Sequence, residues 1–235
     1  MNPNPVRINA GAEALPRETN KLIRNTYTLL SMTLIFSALM ATVSVALAMP
    51  PMTYLIGIGV AFVLMWFVLP RTANSGMGLV TVFAITGLMG FALGPLLSMY
   101  LALPNGHQIV GTAFGGTGVI FLALSGYALV SRKNFNFLGG FLMTGILMVV
   151  VAAIANIFLG MPALSLAISC VVIMLMSGFI LFDTSRMVNG GETNYIHATV
   201  GLYLSIFNIF VSLLQILGVM GSDDNTKSEP KAKPR

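Results

Sequence analysis

The chain has 235 residues, of which 56% are hydrophobic and 8% are charged, and its formal net charge is +5. Soluble domains carry about 25% charged residues, so this composition, with a mean hydropathy of +0.88, excludes a soluble globular protein and predicts an integral membrane protein. The basic residues are spread over loops and both ends without interleaved aromatic residues, which argues against a nucleic-acid partner and favours contacts with membrane lipids.

Apolar runs close to 20 residues long recur along the chain, and about 20 helical residues span a hydrocarbon layer roughly 30 Å thick. Lipid offers no partners to the backbone of an open strand, so each run is predicted to be a helix. In chain order the predicted spans are 27–49, 52–69, 79–102, 109–130, 136–159, 162–182 and 196–219. The sequence therefore predicts an all-α membrane protein with a seven-helix bundle in residues 26–220.

The two ends of the chain are rich in charge and proline, and we expect both to be disordered because they cannot bury enough apolar surface. The predicted disordered segments are 1–25 and 221–235. Between the sixth and seventh spans, Asn189-Gly190-Gly191 is typical of a helix stop, and Thr193 or Asn194 is expected to cap the last helix.

Glycines recur within the third and fourth spans at spacings that let helices approach closely. They are Gly90 and Gly94 in the third span, and Gly111, Gly115, Gly116 and Gly118 in the fourth. We expect these residues to lie at helix–helix contacts.

Basic residues mark every second loop, and the loops between them have none. They are Arg7, Arg17, Lys21 and Arg24 before the first span, then Arg71, Arg132, Lys133 and Arg186. By the positive-inside rule this alternation predicts a cytoplasmic N-terminus. Seven spans would then export the C-terminal segment despite its Lys227, Lys231, Lys233 and Arg235, unless one of the last two segments is re-entrant. Both alternatives are open, and the length of the last two runs favours seven full spans.

Residues suited to catalysis or metal binding are sparse. Between Thr19 and Ser222 the carboxylates are Asp183 and Glu192, and the chain has two histidines and one cysteine. No cluster has metal-ligand spacing, so no cofactor and no firm metal site is predicted, with Asp183 as the one candidate ligand. An intramembrane aspartyl protease needs two aspartates that share a site, so we expect a protein that is not an enzyme.

A stripe of polar and small residues follows one face of the last span, because its members recur at steps of three and four. They are Asn194, His197, Gly201, Ser205, Asn208, Ser212 and Gln215. Lipid would not accommodate this face, so it is predicted to turn toward other helices or a water-filled path. Interhelical hydrogen bonding and a conduit are both open interpretations.

Asp183 is predicted at the cytoplasmic end of the sixth span. In one interpretation it lies in the headgroup region beside Arg186, three residues further on. In the other it points into the bundle and pairs with a cation of the same side, such as Arg71, Arg132 or Lys133. Such a carboxylate can act as a latch that closes by pairing and opens on protonation or cation binding. The gate candidates are Asp183, Arg186 and Arg71.

Several motifs together resemble the Bax inhibitor-1 family over residues 24–218. They are RNTYTLLSMTL at 24–34, TGLMGFALGPLLSMY at 86–100, ANIFLGMPALSLAIS at 155–169, LFDTS at 181–185, GGETNYI at 190–196 and LYLSIFNIFVSLLQILG at 202–218. Within the family the likeness is greatest to bacterial inner-membrane members that modulate the protease FtsH. The resemblance implies a seven-helix bundle around a central, polar-faced last helix.

The resemblance also implies two functions. Some members associate with FtsH and its HflK–HflC partners through a cytoplasmic N-terminal tail, and restrain degradation of membrane substrates. Others are pH-sensitive calcium leak channels gated by aspartates on the sixth and seventh helices. Asp183 matches the sixth-helix position, but the seventh-helix position falls on Ser205, and a serine cannot share a proton or Ca²⁺ as a second carboxylate would. We therefore favour an FtsH modulator in the bacterial inner membrane, with a calcium or cation leak channel as the alternative.

Overall fold

Seven long helices follow one another in the computed structural model, which describes the backbone of residues 8–228 and the side chains of residues 17–221, and this part of the chain has no strand. The helices are α1 Ile8–Ala46, α2 Met52–Thr72, α3 Met77–Leu101, α4 Gly106–Ser131, α5 Leu138–Leu159, α6 Pro162–Val188 and α7 Tyr195–Ser228. Each is long and apolar enough to cross a membrane. The all-α, seven-spanning prediction is confirmed.

The first and last helices are longer than the sequence suggested. α1 begins at Ile8 and α7 continues to Ser228, so both extend into the segments predicted to be disordered. A span that has already formed supplies the costly helix nucleus, and each further residue then adds a hydrogen bond at little cost. The rest of the two predicted segments, residues 1–7 and 229–235, lies outside the described residues.

α2 continues past the proline that was expected to end it. Residues Leu64–Val68 form a π-helical turn, and Pro70 then lies at the start of the resumed α-helical turn. Proline is tolerated there because the amide hydrogen that it lacks would have no partner in a first turn. The helix therefore reaches Thr72.

α7 is the central helix of the bundle. It packs against α1, α3, α4 and α6, whereas α2 lies against α3 and α5 lies against α6 at the periphery. Leu202, Ile209 and Leu214 of α7 have no exposed surface, and Tyr203 is 1% exposed. This arrangement agrees with the central last helix that the family resemblance implied.

The hydroxyl group of Tyr203 ties three helices together inside the bundle. It donates to the Thr86 carbonyl of α3 at 3.2 Å and accepts from the Ser37 hydroxyl of α1 at 2.6 Å. Because lipid provides no water to replace these partners, each buried polar group must find one within the protein. Tyr203 thereby fixes the rotation of α7 against α1 and α3.

Two glycines of α3 let α1 approach closely. A Cβ atom on Gly90 would overlap Ser37, and one on Gly94 would overlap Ser44. The predicted helix contact is therefore confirmed for these two residues. It is wrong for three glycines of α4, which face open space because α4 turns a different face inward. Those glycines are Gly111, Gly115 and Gly118.

The α2–α3, α4–α5 and α6–α7 loops lie at one end of the bundle. We call this end the basic face, because Arg71, Arg132, Lys133 and Arg186 lie in or beside these loops. Asn194 donates to Ala73 at 3.1 Å and to Asn74 at 2.9 Å, joining the α6–α7 loop to the α2–α3 loop. Ser185 joins the end of α6 to the α4–α5 loop through Lys133. At the opposite end of the bundle, Gly221 of α7 lies beside Asn105 of the α3–α4 loop. α7 therefore runs from one end of the bundle to the other, and both α6 and α7 are long and apolar enough to cross a membrane.

Replacing Gly94 with leucine should destabilise the bundle, because the side chain would force α1 and α3 apart at Ser44. Overpacking of this kind typically costs about 1–3 kcal/mol, and we expect a lower thermal unfolding midpoint in detergent. Gly115→Leu, which meets open space, is the matched control and should unfold like the original chain. Equal midpoints for the two variants would contradict this account of the contact.

Candidate functional site

A cavity of about 240 Å³ opens at the basic face between α6 and α7. Its walls are Asp183, Arg186, Glu192, His197 and Ala198. Four of the five are ionisable, in a bundle whose spans are otherwise almost free of charge. The sequence-based candidates Asp183, Arg186 and His197 are therefore brought together in one place.

Asp183 lies half-buried at the inner end of this group and packs against the backbone of α7. A Cβ atom on Gly201 would lie 2.8 Å from its Oδ2 atom. A side chain at position 201 would force the Asp183 carboxylate to shift, which is consistent with a small residue at this point of the polar stripe. Asp183 therefore faces into the bundle, as the second of the two interpretations proposed.

Arg186 makes its ion pair with Glu192 and not with Asp183. It forms an ion pair with Glu192 at 3.4 Å, donates to the Gly191 carbonyl at 2.9 Å, and lies over the ring of Phe182, 5.5 Å from its centre. Among the described residues no cation is within ion-pair distance of Asp183.

Arg71, the third gate candidate, lies elsewhere. Its side chain is exposed and donates to the Phe67 carbonyl of its own helix at 2.5 Å. It does not line the cavity of Asp183. Arg132 and Lys133, the other cations considered as partners, are also exposed and make no ion pair with a described residue.

Hydrogen bonds fix the position of Glu192 in the turn between α6 and α7. Gly190 has a φ of +75°, and the amides of Gly191 and Glu192 both donate to the Arg186 carbonyl. The Glu192 carboxylate accepts from the amides of Thr193 and Asn194, each at 3.0 Å. Glu192 lies in the loop just before α7, and its ion pair with Arg186 was not predicted, although its spacing from Arg186 across a glycine turn was a usable signal.

Asn194 is the cap of α7. Its Oδ1 atom accepts from the Ile196 amide at 2.9 Å, which satisfies one of the free donors at the helix start. The same side chain donates to the α2–α3 loop. Of the two predicted caps, the structure therefore selects Asn194.

The middle of the polar stripe is satisfied within α7 itself. Ser205 donates to the Gly201 carbonyl at 3.2 Å, and Asn208 donates to the Leu204 carbonyl at 2.8 Å. Ser212 is buried as well. Ser205 and Asn208 therefore have hydrogen-bond partners within their own helix, so neighbouring helices can pack over them.

The far end of the stripe bonds across to α6, where Ser169 donates to Gln215 at 2.7 Å. Gly201 of α7 lies against Asp183 of α6, and Gln215 of α7 bonds to Ser169 of α6. The two contacts are separated by the same number of residues on each helix, so α6 and α7 run antiparallel without a shift in register. Between these contacts α6 contributes Ile180 and Met176 to the main apolar core. Apolar side chains therefore fill the middle of the interface between α6 and α7, which we call the α6–α7 seam.

A second cavity of about 390 Å³ lies at the opposite face and shares Gln215 with the seam. Asn156 donates to Ser165 at 2.6 Å and accepts from the Met161 amide at 3.1 Å beside it. Sequence reasoning missed this cavity, although an amide side chain within the apolar α5 span was a usable signal. The seam therefore has a cavity at each end.

Neither cavity is a metal centre of the ordinary kind. No three histidine, cysteine or carboxylate side chains meet within the described residues.

Comparison with known proteins gives consistent results. The family model described as "Inhibitor of apoptosis-promoting Bax1" matches residues 19–222. The chain is 50% identical over 205 residues to the Escherichia coli K12 protein named "Modulator of FtsH protease YccA", covering 87% of this chain and 93% of that protein. It is 51% identical over 207 residues to an uncharacterized membrane protein of Vibrio cholerae, covering 88% and 93% of the two chains.

A relative from Pseudomonas aeruginosa is 45% identical over 214 residues, covering 91% of this chain and 96% of its own length. These relatives are named as a modulator or as uncharacterized proteins, and none of the three carries an enzyme name. The family match, residues 19–222, covers all seven apolar spans except the first two residues of the first one. The chain therefore belongs to the Bax inhibitor-1 family of multi-pass membrane proteins.

Proposed function

We propose that this chain is a bacterial inner-membrane protein that binds and modulates the FtsH protease, in association with HflK–HflC, and restrains degradation of membrane substrates. The observation that carries the proposal is the 50% identity to the E. coli FtsH modulator over 93% of that protein's length. The modulator acts without catalysis of its own, since its one intramembrane aspartate has no second carboxylate partner of the kind an aspartyl protease uses.

The basic face is cytoplasmic in this proposal. Arginine and lysine residues of α1 and of three loops gather there, and the positive-inside rule favours their retention in the cytoplasm. The N-terminal segment and the cavity of Asp183 would then be presented to the same compartment.

The N-terminal segment is the part of the chain that we propose FtsH engages. The membrane-embedded part of α1 is anchored in the bundle, since Leu29 and Leu30 are buried in the main core. Further toward the N-terminus, Arg17, Glu18 and Lys21 are exposed, beyond the apolar contacts of the bundle. A helix that is fixed at one end and charged at the other offers a handle for a partner without loosening the bundle.

The bundle itself is suited to a protein that occupies a protease without being extracted. Its last helix is surrounded by four others and tied to two of them by Tyr203. Pulling such a helix into water would expose its apolar core residues and its satisfied polar groups together. The proposed restraint on proteolysis therefore rests on slow extraction as well as on binding.

Removing residues 2–21 should lower the amount of FtsH that co-purifies with the chain from bacterial membranes by about tenfold or more, equivalent to at least 1.4 kcal/mol of binding energy. The deletion stops before Leu22 and Ile23, which pack against the core, so thermal unfolding of the bundle should be unchanged. The control is removal of residues 222–235, which should leave co-purification intact. FtsH recovery unaffected by the N-terminal deletion would count against this segment as the contact.

A second function, a cation leak, is favoured by one specific observation. Asp183 lies in a cavity at one end of the α6–α7 seam, and a second cavity lies at the other end. Ile180 and Met176 close the path between them. A conducting state would need these side chains to move apart, and it would have Ser205 where the channel-type relatives place a second aspartate.

Calcium flux into liposomes containing the purified chain tests the leak. A conducting protein should exceed protein-free liposomes and change its flux severalfold between about pH 5 and pH 8, the range over which a buried carboxylate can titrate. Asp183→Asn should remove that pH dependence, whereas Glu18→Gln, which alters an exposed acid outside the cavity, should retain it. Flux equal to empty liposomes, or flux indifferent to Asp183→Asn, would eliminate the channel function.

A further inference from the structure

The α4–α5 loop, residues 132–137, places two cations at the rim of the bundle. Arg132 and Lys133 are both exposed, and neither makes an ion pair with a residue that the structure describes. The helix ends beside the loop carry exposed apolar side chains, Val130 on α4 and Phe141 on α5. Positive charge that pairs with no described residue therefore lies directly beside the lipid-facing surface.

The backbone of this loop is held in place by the end of α6. The buried hydroxyl of Ser185 donates to the Lys133 carbonyl and accepts from the Phe135 amide, each at 2.9 Å. Arg132 ends α4 in the left-handed conformation, with a φ of +50°. A fixed backbone reduces the ordering cost that the two cations would otherwise incur on binding a ligand.

An aromatic cluster flanks the cations. The ring of Phe135 lies 6.2 Å from that of Tyr127 and 6.4 Å from that of Phe137, and Phe137 is 76% exposed. Aromatic side chains of this kind favour the headgroup level of a membrane. The side-chain amides of Asn134 and Asn136 are exposed beside them and can donate hydrogen bonds.

A groove leads from this loop into the membrane. α4 and α5 each pack against α6 but not against each other within the described residues, so α6 forms the floor between them. Met174, Leu181 and Ser185 lie on one face of α6, and Met174 is 74% exposed. At 1.5 Å per residue Met174 is about 16 Å from Ser185, close to half of a roughly 30 Å hydrocarbon layer and thus to the depth of one acyl chain.

We propose that the α4–α5 loop and this groove bind one anionic phospholipid. Its phosphate lies between Arg132 and Lys133, its glycerol region contacts the aromatic cluster, and an acyl chain lies in the groove over Leu181 and Met174. Charge complementarity selects an anionic over a zwitterionic headgroup. The first amides of α5, which begins at Leu138, add favourable dipoles on the same side of the phosphate.

Native mass spectrometry of the full-length chain in neutral detergent tests the site, by titration with phosphatidylglycerol or phosphatidylcholine. The chain should retain phosphatidylglycerol in preference, and the double variant Arg132→Gln with Lys133→Gln should lower that affinity about 10- to 30-fold. Lys21→Gln with Arg24→Gln removes the same charge elsewhere on the basic face and should leave retention unchanged. Equal losses in both double variants, or equal retention of the two lipids, would overturn the proposal.

The groove has its own test, which changes no charge. Met174→Trp should fill the groove and reduce retention of phosphatidylglycerol, whereas Val151→Trp, on the side of α5 away from α6, should not. Unchanged retention in Met174→Trp would remove the groove from the proposal. Displacement of the lipid by an equal concentration of inorganic phosphate would overturn the assignment to a lipid and point to a free anion.

Discussion

The structure depends on the inability of lipid to supply hydrogen bonds. A helix that carries Tyr203, Ser205, Asn208 and Gln215 cannot face hydrocarbon, so α7 lies in the centre and four helices surround it. Its polar groups are then satisfied in two ways. Ser205 and Asn208 donate to backbone carbonyls of α7 itself. Tyr203 bonds to α1 and α3, and Gln215 bonds to α6. The order of the other helices follows from this requirement, because each inner helix covers part of α7 while α2 and α5 complete the outside.

The same constraint explains why the charged groups collect at one end. Asp183 reaches water through the cavity at the basic face, and the glycine turn after α6 brings Glu192 back to neutralise Arg186. Among the described residues Asp183 therefore has no cation within ion-pair distance, and beyond it Ile180 and Met176 of α6 pack in the apolar core. A bundle of this kind suits a protein that must stay folded while it is bound to a membrane protease. Conduction would require an additional rearrangement of α6 against α7.

Local patterns in the sequence were sufficient to predict the helices, but they were insufficient to predict the contacts between helices. Apolar runs predicted all seven helices, and the side-chain chemistry of Asn194 predicted the cap of α7, because both depend on neighbouring residues in the chain. The outward orientation of Gly111, Gly115 and Gly118 and the separation of Arg71 from Asp183 depend on the rotation of whole helices, which a single sequence does not encode locally. The cavity at the opposite face was missed for the same reason, since its walls come from three different helices.

The central claim is that this chain restrains an FtsH-type protease. The most direct measurement is the rate at which FtsH with HflK–HflC degrades a membrane protein substrate in reconstituted liposomes, with and without the purified chain at equal protein-to-lipid ratio. The account predicts slower degradation of the substrate, with ATP hydrolysis retained and the chain itself remaining intact over the assay. An unchanged degradation rate at concentrations where the chain co-purifies with FtsH would contradict it.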